Sequence, residues 1–158
     1  MIILISVNAC IDYDKFEKLE REEIESYLAN NKAKKFIKKE SGLYYLEIVE
    51  GTGIAPADND TAYVKYTGMF LNGDVFQSFT DDDLPHKIMV GSLSIIQGFS
   101  EGLKYMKEGG KATILIPSSL AYGITGDYYV IDGNIYPISG YTPLLFDIEL
   151  IEVKKAVE

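Results

Sequence analysis

Residues 64–79, V-K-Y-T-G-M-F-L-N-G-D-V-F-Q-S-F, and residues 85–103, P-H-K-I-M-V-G-S-L-S-I-I-Q-G-F-S-E-G-L, decide the fold. Ahead of Asn72-Gly73, Ala62, Val64 and Tyr66 share one face of a strand while Tyr63, Lys65 and Thr67 share the other, a period of two. Asn-Gly between runs rich in β-branched and aromatic residues signals a hairpin, because both residues tolerate positive φ. Val75, Phe76 and Phe79 begin the return strand. From Ser94 the apolar residues fall at Ile95, Ile96, Phe99, Leu103 and Met106, the spacing of an amphipathic helix that Ser92 or Ser94 can cap. Gly98 and Gly102 inside it cost ~1 kcal/mol each relative to Ala, so the helix is expected to be short and held by packing. A curved sheet crossed by one short helix leaves a cavity, here lined by Tyr66, Phe76, Ile95, Ile96 and Phe99.

Outward from this stretch, composition sets the bounds. A chain of 158 residues, 47% hydrophobic, buries one good core; a second domain would be cramped. The net charge of −9 argues against nucleic acid, since no basic stripe is present to neutralise phosphates. One His and one Cys leave zinc sites and most nucleophile–base pairs without their further members, and Asp58-Asn59-Asp60 and Asp81-Asp82-Asp83 lack calcium-ligand spacing. Neither metal nor cofactor is expected. Residues 1–9 are apolar and end in small residues, and Val7-Asn8-Ala9-Cys10 resembles a lipobox, where bacterial lipoprotein signals are cut. The reading is a signal remnant and tether over 1–14, with acyl attachment at Cys10; the alternative is an ordinary N-terminal strand with a buried Cys.

Residues 15–29 carry Phe16, Leu19, Ile24, Tyr27 and Leu28 at helical spacing among acidic residues, and residues 32–40 read as a second, basic helical segment with Ala33, Phe36 and Ile37 inward. Ser41-Gly42 stops it. This extension over 15–42 can pack on the domain, space it from a membrane, or dimerise through residues 15–40. Residues 43–49, 111–116 and 144–151 read as strands, the last as the closing strand. Between them a stretch rich in Gly, Tyr and Asp runs from Ala121 to Pro143 as a long loop, of the kind that is a functional lid or locally disordered.

Residues 43–153 resemble the FKBP-type peptidyl-prolyl cis/trans isomerases. The resemblance rests on Y-T-G-M (66–69), N-G-x-x-F-x-S (72–78), V-G-S-L-S-I-I-Q-G-F-x-E-G-L (90–103), L-A-Y-G (120–123) and L-F-D-I-E-L (145–150), in the family's order. It implies an α+β fold over 43–158, a curved antiparallel sheet wrapped around a short helix, with an N-terminal helical extension as in some bacterial members. It implies isomerisation of X-Pro bonds in proline-containing polypeptides, with Tyr66, Phe76, Ile96, Phe99, Tyr122 and Phe146 as the catalytic pocket. Ile96 would offer its amide and Tyr122 its hydroxyl to substrate carbonyls. Gln77, Ile95, His86 and Tyr136 would contact substrate. Phe99 stands where the family usually has Trp, Gln77 where Asp is usual and His86 where Phe is frequent, so macrolide affinity is expected to be reduced. The implied place is the bacterial cell envelope, lipid-anchored in the periplasm or outer membrane, with the cytoplasm as alternative. The competing function is a catalytically weak peptide-binding module or holdase chaperone.

Overall fold

The computed structural model describes residues 13–80 and 84–157. The elements are α1 (Tyr13–Asn30), β1 (Ile37–Lys38), β2 (Tyr44–Val49), β3 (Thr61–Phe70), β4 (Val75–Phe79), β5 (His86–Met89), α2 (Gln97–Lys104), β6 (Lys111–Ile116), a 3-10 turn (Ser118–Leu120), β7 (Asp127–Ile131), β8 (Asn134–Ile138) and β9 (Leu144–Lys154). β1 to β6 and β9 form one antiparallel sheet in the order β1-β2-β6-β9-β3-β4. β5 joins the edge of β3 that β4 uses, pairing with Thr61–Val64 where β4 pairs with Tyr66–Met69. Along β3 buried and half-buried residues alternate, so the period of two read from the sequence is real. An extra residue on β9 between the partners of Tyr63 and Val64 shifts the register there, and such bulges bend a sheet.

α2 lies across the concave face and buries Phe99 and Leu103. Its glycines are there for approach: a Cβ on Gly102 would sit 2.8 Å from Cδ1 of Ile114, and one on Gly98 would run into Cγ2 of Ile116. Their helix penalty is offset by close packing on β6. Neither serine caps the helix. Ile96 is the N-cap without a side-chain bond, while Oγ of Ser92 accepts the Ser94 N–H at 3.1 Å and serves the preceding turn. The convex face is covered by α1, where Ile24 is buried with Leu115 and Leu145, and Tyr27, Leu28 and Phe36 pack around them.

Three further expectations change. The helical reading ends at Asn30: residues 32–40 hold no second helix, and Ile37, expected inward, is 62% exposed in β1. Pairing with Tyr45 and Tyr44 draws Ile37 and Lys38 onto the sheet edge, and Gly42 at φ 100° closes the turn, so the sheet already begins inside the 15–42 extension. The Asn72-Gly73 hairpin forms, but only Gly73 takes positive φ (94°); its N–H donates to Phe70 O at 3.0 Å, the arrangement of a three-residue hairpin loop. The expected long loop is instead largely the β7–β8 hairpin. Its central Asp132 and Gly133 both have positive φ, 50° and 78°, which matches the twist of the strands they join.

Candidate functional site: an aromatic cleft on the concave face

β3, β4, β5, β9 and α2 converge on a cleft of about 330 Å³ that opens to solvent. Strand parity turns Tyr66 inward from β3. Register sets Phe146 of β9 and Gln77 of β4 on either side of Gly68. Gly68 is what allows the rings to meet, since a Cβ there would lie 2.8 Å from both Phe146 and Phe76. α2 brings Phe99, and the turn that leads into it brings Ile95 and Ile96.

The floor is a set of mutually inclined rings. Phe99 meets Phe146 edge-on, centroids 5.1 Å apart at 88°, and Tyr66 lies 5.2 Å from Phe99 and 6.0 Å from Phe146. Such edge-to-face pairs add ~0.5–1.5 kcal/mol beyond area burial and fix ring orientation. His86 stacks on Phe79 at 4.7 Å and edges toward Tyr66 at 6.0 Å, so it forms the rim.

Tyr122 stands on a braced turn. Ala121 N–H and Gly123 N–H donate to Ser118 O at 2.9 and 2.8 Å, and Gly126 N–H donates to Tyr122 O at 3.1 Å. The brace reaches the extension: the N–H and Oγ of Ser118 donate to the two carboxylate oxygens of Glu20 in α1, at 2.5 and 2.7 Å. Phe16 of α1 also stacks on Tyr141 at 5.5 Å, and Tyr141 N–H donates to Gly123 O. Burial, then the neighbouring Tyr122, pushes the Tyr66 hydroxyl up to about 12. Burial, then Asp127, raises Tyr122. Both hydroxyls are therefore neutral donors at neutral pH.

Of the residues singled out in the sequence, Tyr66, Gln77, His86, Ile95, Ile96, Phe99, Tyr122 and Phe146 line this cleft together. Phe76 and Tyr136 do not. Phe76, 4% exposed, sits behind the floor against Phe146 (5.7 Å) because the open space over Gly68 admits it. Tyr136 stacks on Tyr129 at 5.3 Å within the β7–β8 hairpin. Sequence reading missed Lys87, Ile88, Met89, Ser94 and Asp127, which also line the cleft. The nearest signal for Asp127 is Asp132-Gly133, which marks the turn where β7 ends. Cys10 lies outside the described residues. Among the described residues no cluster of His, Cys, Asp or Glu could hold a metal ion, and no helix is long and apolar enough to cross a membrane.

As N-cap of α2, Ile96 has its amide outside the helix's own ladder. The arrangement can take up a compact apolar ring and orient a carbonyl beside it.

A family model for FKBP-type peptidyl-prolyl cis-trans isomerase matches residues 53–151. The chain is 40% identical over 119 residues to a macrophage infectivity potentiator of Trypanosoma cruzi, covering 75% of this chain and 56% of that protein. It is 36% identical over 133 residues to the outer membrane protein MIP of Legionella longbeachae, covering 84% and 53%. Its fold matches a crystal structure of a peptidyl-prolyl cis-trans isomerase from Pseudomonas syringae pv. tomato with a TM-score of 0.70 and 32% identity, over 90% of this chain and 96% of that one. The chain thus spans about half the length of those two curated relatives. With the motifs falling on one curved sheet and its short helix, the chain belongs to the FKBP-type peptidyl-prolyl cis-trans isomerase family.

Proposed function

We propose that the chain catalyses cis/trans rotation of X-Pro bonds in polypeptides, and that it assists protein folding in the cell envelope. The observation that carries this is the solvent-open cleft floored by the mutually inclined rings of Tyr66, Phe99 and Phe146.

Rotation about an amide is opposed by roughly 18–20 kcal/mol because the C–N bond has partial double-bond character. In the twisted transition state conjugation is lost and the carbonyl is less charge-separated. Water then stabilises it less well than the planar ground state. An apolar floor reverses that balance, and only such differential binding speeds the step. A thousandfold acceleration needs about 4 kcal/mol. Burying a proline ring over Phe99 and Phe146 contributes on the order of 1.5–3 kcal/mol of binding, with Phe76 holding Phe146 in place from behind. The Ile96 amide and Tyr122 hydroxyl orient the flanking carbonyls. No nucleophile or titrating base takes part.

The test is cis-to-trans conversion of an Xaa-Pro tetrapeptide together with proline-limited refolding of a model protein. Acceleration of both is expected. Delayed aggregation with no acceleration would establish a holdase in place of an isomerase.

The envelope setting rests on similarity to the outer membrane protein MIP and on the lipobox-like residues 7–10. Acylation of Cys10 is tested by radiolabelled palmitate incorporation and its loss in Cys10→Ser. A dimer through residues 15–40 is tested by light scattering with and without that segment. Weak macrolide binding, expected because Gln77 brings no charge to the cleft, is tested by titration with tacrolimus.

A further inference from the structure

Among the described residues other than glycine, Asn59, Asp132 and Tyr141 take positive φ. Asn and Asp settle there readily, because a short polar side chain can bond to the backbone nearby. A Tyr gains nothing of the kind, and its Cβ crowds the neighbouring carbonyl. At φ 59° Tyr141 is therefore a residue whose conformation its surroundings must hold.

Two contacts do so. Its ring lies nearly parallel to that of Phe16 in α1, with centroids 5.5 Å apart and planes inclined by 17°. Its N–H donates to Gly123 O at 3.0 Å. Around these contacts two segments cross backbone on backbone: a Cβ on Gly140 would run into Ile124 O, and one on Gly126 would run into Ile138 O. No side chain cushions the crossing, so a shift in one segment displaces the other.

Gly123 ties this crossing to the cleft. It follows Tyr122, takes φ 61°, and has no side chain to limit its rotation. Its N–H is held by Ser118 O at 2.8 Å and its own O by Tyr141, so both polar groups of this pivot are fixed. Losing the second bond would let Gly123 turn and shift the Tyr122 side chain that lines the cleft.

We propose that Tyr141 is the positioning residue for Tyr122: seated on Phe16, it holds the Gly123 carbonyl and so fixes where the Tyr122 hydroxyl meets substrate. The inference rests on the cleft reading above. Glu20 grips the same turn at its foot, through Ser118, whereas Tyr141 grips it next to the tyrosine itself. Gly126 also holds Tyr122 O, at 3.1 Å, so loss of the seat loosens the tyrosine without releasing it. A ring that only covered surface would act on stability alone.

The experiment uses the full chain and two readouts, kcat/KM for an Xaa-Pro tetrapeptide and hydrogen-exchange protection of the amide at position 141 by NMR. Phe16 is 44% exposed, so its truncation spares the fold. Phe16→Ala should cut kcat/KM about three- to fivefold, within the worth of one hydrogen bond, and lower the amide's protection about tenfold. Tyr141→Phe keeps the ring and should stay within about twofold on both. Phe16→Ala combined with Tyr141→Asn removes both rings, yet Asn keeps positive φ unaided, so both readouts should return to within about twofold of wild type. In a Tyr122→Phe background Phe16→Ala should cost less than about twofold, because the hydroxyl it places is gone. The inference is overturned if Phe16→Ala changes neither readout, if Tyr141→Asn gives no rescue, or if the loss is as large without the Tyr122 hydroxyl. If the wild type turns over no tetrapeptide, the isomerase reading fails, and exchange alone decides this one: protection lost in Phe16→Ala and restored by Tyr141→Asn upholds the hold on Gly123, and any other pattern overturns it.

Discussion

Leu145 and Phe146 are neighbours on β9 and face opposite ways. Phe146 joins the rings under the cleft, whereas Leu145 packs with Ile24 and Leu115 beneath α1. Both are nearly fully buried, at 4% and 3% exposure, so burial alone does not tell them apart. What differs is the partner across each face. The concave rings border an opening of about 330 Å³, while the convex cluster is sealed by a helix. The same strand thus borders an open cleft on one side and holds the extension on the other. The proposed function turns on which face is left uncovered.

Paired truncations give the largest effect and the most direct way to break this comparison. Phe146→Ala should cost about 3–5 kcal/mol of stability and Leu145→Ala about 2–5 kcal/mol, by urea unfolding. Tetrapeptide turnover per folded molecule should collapse in the first and stay within about twofold of wild type in the second. Equal losses of turnover would mean that the faces are not separable.

Glu20 sharpens the comparison because it is where the convex side touches the cleft. Its carboxylate receives both the N–H and the Oγ of Ser118, at the foot of the turn that presents Tyr122. Glu20→Gln weakens two charge-assisted bonds and should lower stability by about 1–3 kcal/mol. Turnover should fall no more than about threefold, because the Gly123 and Gly126 bonds within the turn persist. A drop beyond about tenfold would show that the extension tunes the site and is more than a brace. Tyr122→Phe is smaller still on stability: the ring stays and one hydroxyl goes. It should leave the thermal midpoint in place and cut kcat/KM by roughly two- to tenfold, the worth of one hydrogen bond.

Much of the cleft was legible because it is written in short-range signals. The alternation in β3, the glycine of Y-T-G-M and the helical spacing from Ile95 to Met106 each place side chains without knowledge of distant partners. What was not legible depended on long-range pairing. Residues 32–40 carry helix-forming lysines, yet Ile37 and Lys38 find an open edge at β2, and strand pairing overrides propensity there. Phe76 reads as pocket through the N-G-x-x-F-x-S motif (72–78). Only the packing of Phe146 in front of it shows that it acts from behind. The β7–β8 hairpin is hidden for a different reason: its Asp132-Gly133 turn lies inside a Gly- and Tyr-rich stretch whose composition as a whole is that of a loop.

The smallest effect is one of pH, and it sets the concave core against the Asp60 cluster beside the end of β9. Tyr66 and Tyr45, both in the concave core, have their hydroxyls pushed up to about 12, chiefly by burial. The folded state therefore holds these protons more tightly than the unfolded chain, where Tyr titrates near ~10. Their contribution to stability is full below about pH 10 and is lost as pH rises through about 12. Asp60 runs the other way. Lys155 donates to it at 2.8 Å, the N–H groups of Ala57 and Ala156 follow, and its carboxyl falls to about 2. That contribution is present above the unfolded carboxyl's ~3.9 and is lost as pH drops toward about 2. Tyr45→Phe with Tyr66→Phe should flatten only the alkaline limb of a thermal-midpoint profile, and Asp60→Asn only the acid limb. If the tyrosine pair left the alkaline limb as steep as before, the concave face would not be the dry environment that the proposed isomerisation requires.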